Sequence, residues 1–406
     1  MGPFGVLRLP REILFGSGQR QALGAVAAKS GRRALICTDE RFAGTQSFAE
    51  MMSDLRGSGV DVLVHDGVLP DVPAHTVATC VEAARGFEPD MVIGIGGGSC
   101  LDMAKCAALL LTHGGKLQDY YGEFKVPGAV LPIIAVPTTA GTGSEVTPVA
   151  VISDAARMLK VGISSPHLIA TAAICDPDLT MTCPAGLTAI AGADAMTHAI
   201  EAFTAKRGTE SATLAQQHVF IGKNDLTDHY ALLAIRLLGR SLESAVKDGG
   251  NAKARADVML AAMAAGCAFG TAGTAVAHAI QYPVGALTHT AHGLGVACVL
   301  PYVMAYNRQA RVSEMAEIGA ALGVAAGNPE KQSQGAIDAV SQLFAAIGIA
   351  PTLAGLGLAS DKLDWTAEQA IGIDRLIKNN PRPIDLPAMK ALLRAAYDGD
   401  LAGAAA

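Results

Sequence analysis

The first 180 residues alternate between short apolar runs and segments with helical periodicity. Four apolar runs have the length and flanking polar residues of buried strands, at 34–39, 60–67, 91–99 and 130–139. The third run is followed by LDMAKCAALLL (101–111), in which apolar residues recur at helical spacing. Strands that alternate with helices predict βαβ units and a parallel sheet.

The pattern changes near ICDPDL (174–179), and beyond Pro184 it is helical and rich in alanine almost to the end. We therefore predict an α/β domain over residues 1–180 and an all-α domain over residues 181–406. A polar segment at 207–228 contains Gly, Asn and Asp and is predicted to form a long excursion between two helices.

Residues 258–280 contain no charged side chain and are long enough to span a bilayer. They are mostly Ala, Gly and Thr, which favours transfer into lipid only weakly. A tightly packed helix inside the helical domain is the preferred interpretation. In that interpretation His278 ends the helix, and Pro283 and Gly285 break it.

Composition limits the classes of function. Half of the 406 residues are hydrophobic, 17% are charged and the formal net charge is −6, which is typical of a compact globular protein. There is no basic cluster for a nucleic acid or an anionic membrane. The N-terminus has no long apolar run, so no signal peptide is expected. Eight cysteines without a CxxC pair predict free thiols in a reducing, cytoplasmic compartment.

Two glycine-rich elements predict phosphate binding. GIGGGS (94–99) ends a predicted strand and opens a helix, where backbone N–H groups and the helix dipole favour an anion. Ser99 replaces the third glycine of the dinucleotide fingerprint, so a plain strand-to-helix turn is an equal alternative. PTTAGTGSE (137–145) could add hydroxyl and amide donors around a ribose-phosphate, or form only a polar loop with a helix cap.

Asp39 lies at the end of the first apolar run. A carboxylate at this place can bind a ribose diol and repel a 2′-phosphate, which would favour NAD over NADP. The same carboxylate could instead cap a helix.

Asp194 and His198 are four residues apart in GADAMTHAIEAF (192–203), so a helix would place both on one face. A carboxylate and an imidazole so placed can chelate a divalent ion. The alternative is an ordinary contact on a helix surface.

A second histidine-containing stretch, HAIQYPVGALTHTAHG (278–293), is otherwise apolar and holds His278, His289 and His292. Buried histidines without partners are costly, so a shared partner is attractive. A site of three imidazoles and one carboxylate would suit Fe(II) or Zn(II).

With these residues in place, the chain resembles the iron-containing (group III) alcohol dehydrogenase family over most of its length. The resemblance depends on ordered blocks at 96–105, 137–147, 176–203, 278–293 and 379–383. It implies a dehydroquinate synthase-like fold, with an α/β nicotinamide dinucleotide-binding domain, an all-α metal-binding domain and catalysis in the cleft between them.

The resemblance also implies site residues. The implied metal ligands are Asp194, His198, His278 and His292. The residues implied around the dinucleotide are Asp39, Gly96, Gly97, Gly98, Ser99, Asp102, Thr138, Thr139, Thr142, Val149 and Lys160. For Lys160 the alternative is a solvated loop lysine. Asp71 lies where relatives often carry Asn, which puts its cofactor contact in doubt.

Two features depart from the family pattern. Many relatives have a proton-relaying histidine four residues after the third ligand, where this chain has Tyr282. The relay is therefore assigned to Tyr282 or His289, with the ribose or water as alternatives. The excursion at 207–228 is longer than in typical relatives. It could cap the cleft or extend an oligomer contact, and a plain surface insertion is preferred.

The expected function is metal-dependent hydride transfer between NAD(H) and a small primary alcohol or aldehyde, which could carry a further functional group. NADP and Zn(II) are the alternatives to NAD and Fe(II), and a homodimer or larger homo-oligomer is expected. Three other functions remain open: a hydroxyacid–oxoacid transhydrogenase with retained nicotinamide, a metal- and NAD-dependent sugar-phosphate cyclase, and a non-catalytic NAD-binding module.

Overall fold

The computed structural model describes residues 3–154 and 159–405, which form two compact units. The first, called the sheet unit, contains Arg8–Cys183 and Gln216–Val219. The second, called the helical unit, contains Met1–Leu7, Pro184–Ala215 and Phe220–Ala406.

The sheet unit is built on a six-stranded sheet in which all neighbours are parallel. Its strands are β1 (Glu12–Phe15), β2 (Arg33–Cys37), β3 (Asp61–His65), β4 (Met91–Gly96), β6 (Ile133–Pro137) and β9 (Ala172–Cys175). They lie in the order β1-β9-β6-β4-β2-β3. Each of the four apolar runs overlaps one of these strands, so the predicted parallel sheet is confirmed.

A smaller three-stranded sheet was not predicted. It consists of β5 (Gly122–Glu123), β7 (Val149–Asp154) and β8 (Leu159–Ser164). Strands β7 and β8 pair antiparallel. Burial along β7 alternates, so this strand lacks the continuous apolar run that marked the buried parallel strands.

Both faces of the main sheet are covered at its centre, which is why the inner strands β4, β6 and β9 are buried along their whole length. In β2, Leu35 belongs to one buried apolar cluster and Ile36 to another. The helices of this unit are α1 (Leu23–Ala27), α2 (Glu40–Ala43), α3 (Gln46–Gly57), α4 (Ala74–Arg85) and α5 (Gly98–His113).

The helical unit contains only helices and their connections among the described residues. Its long helices are α6 (Ala185–Thr204), α8 (Asp225–Lys247), α9 (Ala252–Ala272), α10 (Val276–Thr288), α11 (His292–Asn307), α12 (Val312–Ala321), α13 (Pro329–Ala346), α14 (Leu363–Ile371) and α16 (Leu386–Asp398). The short ones are α15 (Asp374–Asn379) and α17 (Leu401–Ala404), and α7 (Leu214–Gln217) precedes α8. Helices α6, α8 and α9 pack on one another.

The predicted single helix over 258–280 is wrong. Helix α9 ends at Ala272, and Gly273 adopts φ +81°, a left-handed conformation that interrupts a helix and suits glycine. The side-chain amide of Asn379 donates to the carbonyls of Ala272 and Thr274, which satisfies the backbone at the break. The two helices meet at 102°.

His278 therefore lies in the first turn of α10 and does not end a helix. Pro283 and Gly285 lie inside α10, which continues to Thr288, so they do not break it either. A proline removes one helical hydrogen bond, and the packing of α10 against α11 and α14 holds the helix despite this loss.

The excursion at 207–228 is shorter than predicted, because Asn224 caps α8 and residues from Asp225 onward are helical. Part of the excursion forms α7. Among the described residues no single helix is long and apolar enough to cross a membrane, although the bent pair α9 and α10 passes on length and composition.

Candidate metal and cofactor sites

Helix α6 places Asp194 and His198 one turn apart, with 3.6 Å between Oδ1 of Asp194 and Nε2 of His198. Their exposed fractions are 4% and 5%. The pair is therefore buried inside the helical unit, and the alternative of a contact on a helix surface is wrong.

Helices α10 and α11 bring two more imidazoles to the same place. Nε2 of His278 lies 3.9 Å from Oδ1 of Asp194. The ring centroids of His198 and His278 are 4.9 Å apart, and those of His278 and His292 are 5.3 Å apart. One ligand atom each from Asp194, His278 and His292 lies within 4.8 Å of the other two. The four predicted ligands thus come together.

A divalent transition metal fits these four residues. Nε2 of His278 is buried and has no hydrogen-bond partner among the described residues. A buried lone pair without a partner costs free energy, which a bound cation would recover. Three imidazoles and one carboxylate form a mixed nitrogen and oxygen set that Fe(II) and Zn(II) both accept.

Glu201 is a further buried carboxylate, three residues after His198, that the sequence analysis missed. It accepts hydrogen bonds from the N–H groups of Ala275 (2.9 Å) and Ala277 (2.7 Å) and contacts Nδ1 of His278 at 2.6 Å. A carboxylate acceptor places the proton of the imidazole on Nδ1 and leaves the lone pair on Nε2. The spacing of Asp194, His198 and Glu201 at i, i+4 and i+7 is the signal that could have revealed it.

Tyr282 and His289 occupy different environments. Tyr282 is half-buried one turn after His278, and its ring lies 6.2 Å from that of His292. Burial raises the pKa of the Tyr282 hydroxyl, which keeps its proton at neutral pH. His289 is exposed and ends α10 in a left-handed conformation with φ 56°.

The glycine-rich turn of the sheet unit joins β4 to α5. Gly96 has φ +150°, and a Cβ there would lie 2.4 Å from Sγ of Cys100. A Cβ on Gly98 would lie 2.6 Å from Cγ2 of Thr142. Both positions require glycine, because Cys100 and Thr142 approach the backbone too closely for a side chain. Gly97 is the N-cap of α5, where the first N–H groups of the helix have no partner within the helix.

The loop at 137–145 is hydrogen-bonded to the turn between β4 and α5. The N–H of Thr138 donates to the carbonyl of Gly96 at 2.9 Å. Asp102 on α5 accepts from Oγ of Ser144 at 2.6 Å and from the N–H of Val151 at 3.0 Å. Both carboxylate oxygens of Asp102 thus accept from protein groups, one in this loop and one on β7.

Lys105 was missed because it lies in an apolar helical run. It is fully buried, and its Nζ donates to the carbonyls of Ser144 (2.7 Å), Thr147 (3.0 Å) and Val149 (2.7 Å). Burial lowers its pKa to about 8, against the opposing charges of Asp102 and Glu145. This ammonium group holds the segment 144–149 on α5.

The remaining predicted cofactor residues contact other protein groups, as follows. Oδ1 of Asp39 caps α2 by accepting from the N–H of Phe42 at 3.0 Å, as the alternative interpretation allowed. Oγ of Ser99 accepts from the N–H of Asp71 at 3.1 Å. Lys160 is not a solvated loop lysine, because it lies on β8 and pairs with Asp71 at 2.7 Å. Thr139 lies beside the glycine turn.

A parallel sheet with a glycine turn at a helix N-terminus, and a helical unit with a buried cluster of three histidines and an aspartate, define a metal- and dinucleotide-dependent oxidoreductase. The family profile described as "Iron-containing alcohol dehydrogenase" matches residues 10–177, and "Fe-containing alcohol dehydrogenase family, C-terminal" matches residues 188–397. The chain belongs to the iron-containing alcohol dehydrogenase family, which confirms the resemblance, the fold and the class of reaction.

Two curated relatives and one solved structure illustrate the similarity. "Long-chain-alcohol dehydrogenase 1" of Geobacillus thermodenitrificans (strain NG80-2) is 37% identical, covering 94% of this chain and 93% of its own. "NAD-dependent methanol dehydrogenase" of Bacillus methanolicus is 33% identical, covering 92% and 95%. The crystal structure of a 1,3-propanediol oxidoreductase matches with a TM-score of 0.90 and 31% identity, covering 97% and 100%.

Proposed function

We propose that this protein interconverts a small primary alcohol and its aldehyde with NAD(H), using a metal ion held by Asp194, His198, His278 and His292. The observation that carries this proposal is the buried cluster of ligand atoms from Asp194, His278 and His292. The names of the relatives range from methanol to long-chain alcohols, so they support the reaction class and leave the substrate open.

Iron(II), or zinc(II) in its place, would when bound act as a Lewis acid that lowers the pKa of an alcohol and polarises a carbonyl. Three features of the protein would support a metal ion at this place. Asp194 supplies the negative charge of the ligand set. Glu201 fixes the orientation and the tautomer of His278. Phe269 stacks on His198 with ring centroids 4.2 Å apart, which restrains that imidazole.

The nicotinamide dinucleotide would carry the hydride. We propose that the N-terminus of α5 holds its pyrophosphate and that the carboxylate of Asp39 binds its ribose diol, which favours NAD over NADP. The full set of proposed cofactor residues is Asp39, Gly96, Gly97, Gly98, Ser99, Asp102, Thr138, Thr139, Thr142, Val149 and Lys160.

We propose that Tyr282 is the proton donor to the substrate oxygen during aldehyde reduction. Its raised pKa keeps the hydroxyl protonated, so it can donate a hydrogen bond to the substrate oxygen and hold the proton during aldehyde reduction. His289, at the exposed end of α10, would exchange protons through solvent.

The test is a panel of small aldehydes with NADH or NADPH, run on metal-stripped protein to which Fe(II) or Zn(II) is restored. We expect activity only after restoration, and a loss of more than about 100-fold in Asp194→Ala, since the cluster loses its carboxylate. Unchanged activity in this variant, together with no bound metal, would refute the proposal and leave a non-catalytic NAD-binding module.

The same assay separates the two other enzyme classes. A sugar-phosphate cyclase regenerates its NAD and would show no net consumption of NADH with an aldehyde. A transhydrogenase would need a second carbonyl substrate and no added NAD. Net, stoichiometric oxidation of NADH by one aldehyde contradicts both.

We further propose a cytoplasmic homo-oligomer. All eight cysteines are buried thiols, which agrees with a reducing compartment. Strands β1 and β3 are the edges of the main sheet, and an open edge offers backbone groups to a second copy. Analytical ultracentrifugation measures the oligomeric state, and a monomer at micromolar concentration would contradict the proposed homo-oligomer.

A further inference from the structure

Asn379, the last residue of α15, joins three segments of the helical unit. Its backbone carbonyl accepts from the N–H of Lys206, two residues beyond the end of α6, at 2.8 Å. Its side-chain amide donates to the carbonyls of Ala272 and Thr274 at 3.0 Å each, which uses both amide hydrogens. One residue therefore ties the end of α6 to the break between α9 and α10.

The break leads directly to the metal cluster, because the first turn of α10 contains His278. Glu201 accepts from the N–H groups of Ala275 and Ala277, so it holds the N–H side of this turn. Asn379 holds the carbonyl side. A helix rotates by about 100° per residue, so a start of α10 displaced by one residue would direct His278 away from the cluster.

The backbone at the break is also closely surrounded. A Cβ on Gly273 would lie 3.1 Å from Nδ2 of Asn379 and 3.2 Å from Cβ of Phe220. The N–H of Gly273 donates to the carbonyl of Phe269 at 2.7 Å, and the ring of Phe269 stacks on His198. The turn that Asn379 holds therefore adjoins the residues that orient two of the four proposed ligands.

We propose that Asn379 is a positioning residue of the metal centre. By holding both carbonyls at the break, it fixes the start of α10 and with it the direction of Nε2 of His278. It acts through the backbone and does not touch the metal, the substrate or the cofactor. The inference rests on the proposed function, because the metal ion is the group toward which His278 is directed.

The test measures Zn(II) affinity of metal-stripped protein by competition with a chromogenic chelator. The visible absorption of protein loaded with Co(II) reports the geometry of the ligands. Asn379→Ala should weaken Zn(II) binding by about 10-fold or more and change the Co(II) spectrum, because two carbonyls lose their donor and α10 can shift. Asn379→Asp keeps the size of the side chain, loses both N–H donors and should act in the same direction.

Asn251→Ala is the matched control. Asn251 is also half-buried, and it fixes the opposite end of α9 by accepting from the N–H of Ala254 at 3.0 Å and donating to Oγ of Ser244 at 3.1 Å. Its loss should lower the thermal midpoint, as the loss of a helix cap does. It should leave the Zn(II) affinity within about 2-fold of wild type and the Co(II) spectrum unchanged.

Hydrogen exchange gives a readout that needs no metal. The N–H groups of Ala275 and Ala277, which donate to Glu201, should exchange faster in Asn379→Ala than in wild type. They should exchange at the wild-type rate in Asn251→Ala. Circular dichroism establishes that each variant is folded, and the aspartate variant serves if the alanine variant is not.

Two results would overturn the inference. One is a Zn(II) affinity and a Co(II) spectrum in the Asn379 variants that match those of wild type. The other is an equal loss of affinity in Asn251→Ala, which would mean that any destabilisation of α9 loosens the cluster. If wild type binds metal but reduces no aldehyde, the proposed function fails, while the comparison of affinities still decides the role of Asn379.

Discussion

The contact between Glu201 and Nδ1 of His278 determines which nitrogen of that imidazole is left for a metal ion. Glu201 is buried and also accepts two backbone N–H groups at the start of α10. It therefore links the orientation of a ligand to the beginning of the helix that carries it. Such partners typically tune metal affinity by about 10- to 100-fold.

Glu201→Gln is expected to weaken metal binding by about 10- to 100-fold. The amide brings no negative charge next to Nδ1 of His278, and it does not select the tautomer in which Nδ1 carries the proton. The affinity is measured by competition with a chromogenic zinc chelator. Glu243→Gln, on the exposed face of α8, is the control and should leave the affinity unchanged. Equal affinities for Glu201→Gln and wild type would contradict this role.

Tyr282→Phe is expected to lower kcat for aldehyde reduction by about 10-fold or more while metal content stays the same, because the role proposed for the hydroxyl is to donate a proton and not to bind the metal. Metal analysis and steady-state kinetics are the measurements. Because burial raises its pKa, wild-type activity should show no titration of this hydroxyl between pH 6 and 9. A loss of metal in the variant would assign Tyr282 to the ligand set instead.

At the scale of elements, the turn between β4 and α5 determines the arrangement of the two loops proposed to bind the dinucleotide. The turn between β4 and α5 touches the loop at 137–145 through Gly98 and Thr142, at a distance that leaves no room for a methyl group. Lys105 then fixes the segment 144–149 from inside the helix. Two loops far apart in the chain therefore behave as one structure.

Gly98→Ala should lower NADH affinity by about 10-fold or more, since its Cβ would lie 2.6 Å from Cγ2 of Thr142 and push the two loops apart. NADH fluorescence titration gives the dissociation constant. Gly57→Ala at the end of α3 is the matched control, because its Cβ would meet nothing within 4 Å. Equal affinity for both variants would show that the close approach is not required.

The lowered pKa of Lys105 predicts that the stability of the fold depends on pH. Its pKa is lowered by burial to about 8, below the model-compound value of 10.5. Between these values the unfolded state binds more protons than the folded state, so this residue makes the free energy of unfolding rise as pH increases through that window. The thermal midpoint of wild type relative to Lys105→Met should therefore increase from pH 8 to pH 10. A constant difference would mean that Lys105 has an unshifted pKa.

For the whole molecule, the proposed metal site predicts that metal binding and stability are coupled. A metal ion that binds only the folded state stabilises it by about 2.7 kcal/mol at a concentration of 100 times the dissociation constant. Chelation should therefore lower the thermal midpoint, and Fe(II) or Zn(II) should restore it while Mg(II), which prefers oxygen ligands, should not. Asp194→Ala should show a much smaller shift, and a wild-type midpoint insensitive to chelation would contradict a metal centre in this cluster.

Much of the architecture was predictable because it depends on local patterns. A strand buried on both faces must be apolar throughout, so β2, β4 and β6 were visible as runs, while the edge strand β3 was marked by its central Val-Leu-Val. The spacing of Asp194 and His198 required only that their segment be helical. The glycine turn was visible for the same reason, since a chain that bends sharply at Gly96 needs glycine.

Other features could not be read from the chain, because they depend on which atoms meet across long distances in sequence. Asn379 satisfies the backbone at the break between α9 and α10 from more than 100 residues away, so the break was predicted at the wrong place. Glu201 and Lys105 look like ordinary charged helix residues. Burial beside His278 gives Glu201 its role, and burial against the carbonyls of Ser144, Thr147 and Val149 gives Lys105 its role.

The sequence by itself therefore determined the parallel sheet, the helical second half, the family and the four candidate ligand residues, because each depends on periodicity or on local motifs. Only the tertiary structure decided which nitrogen of His278 stays available and where the helix around it begins. The reason is physical, since hydrogen-bond partners and charges act over a few ångströms in space, whatever their distance along the chain.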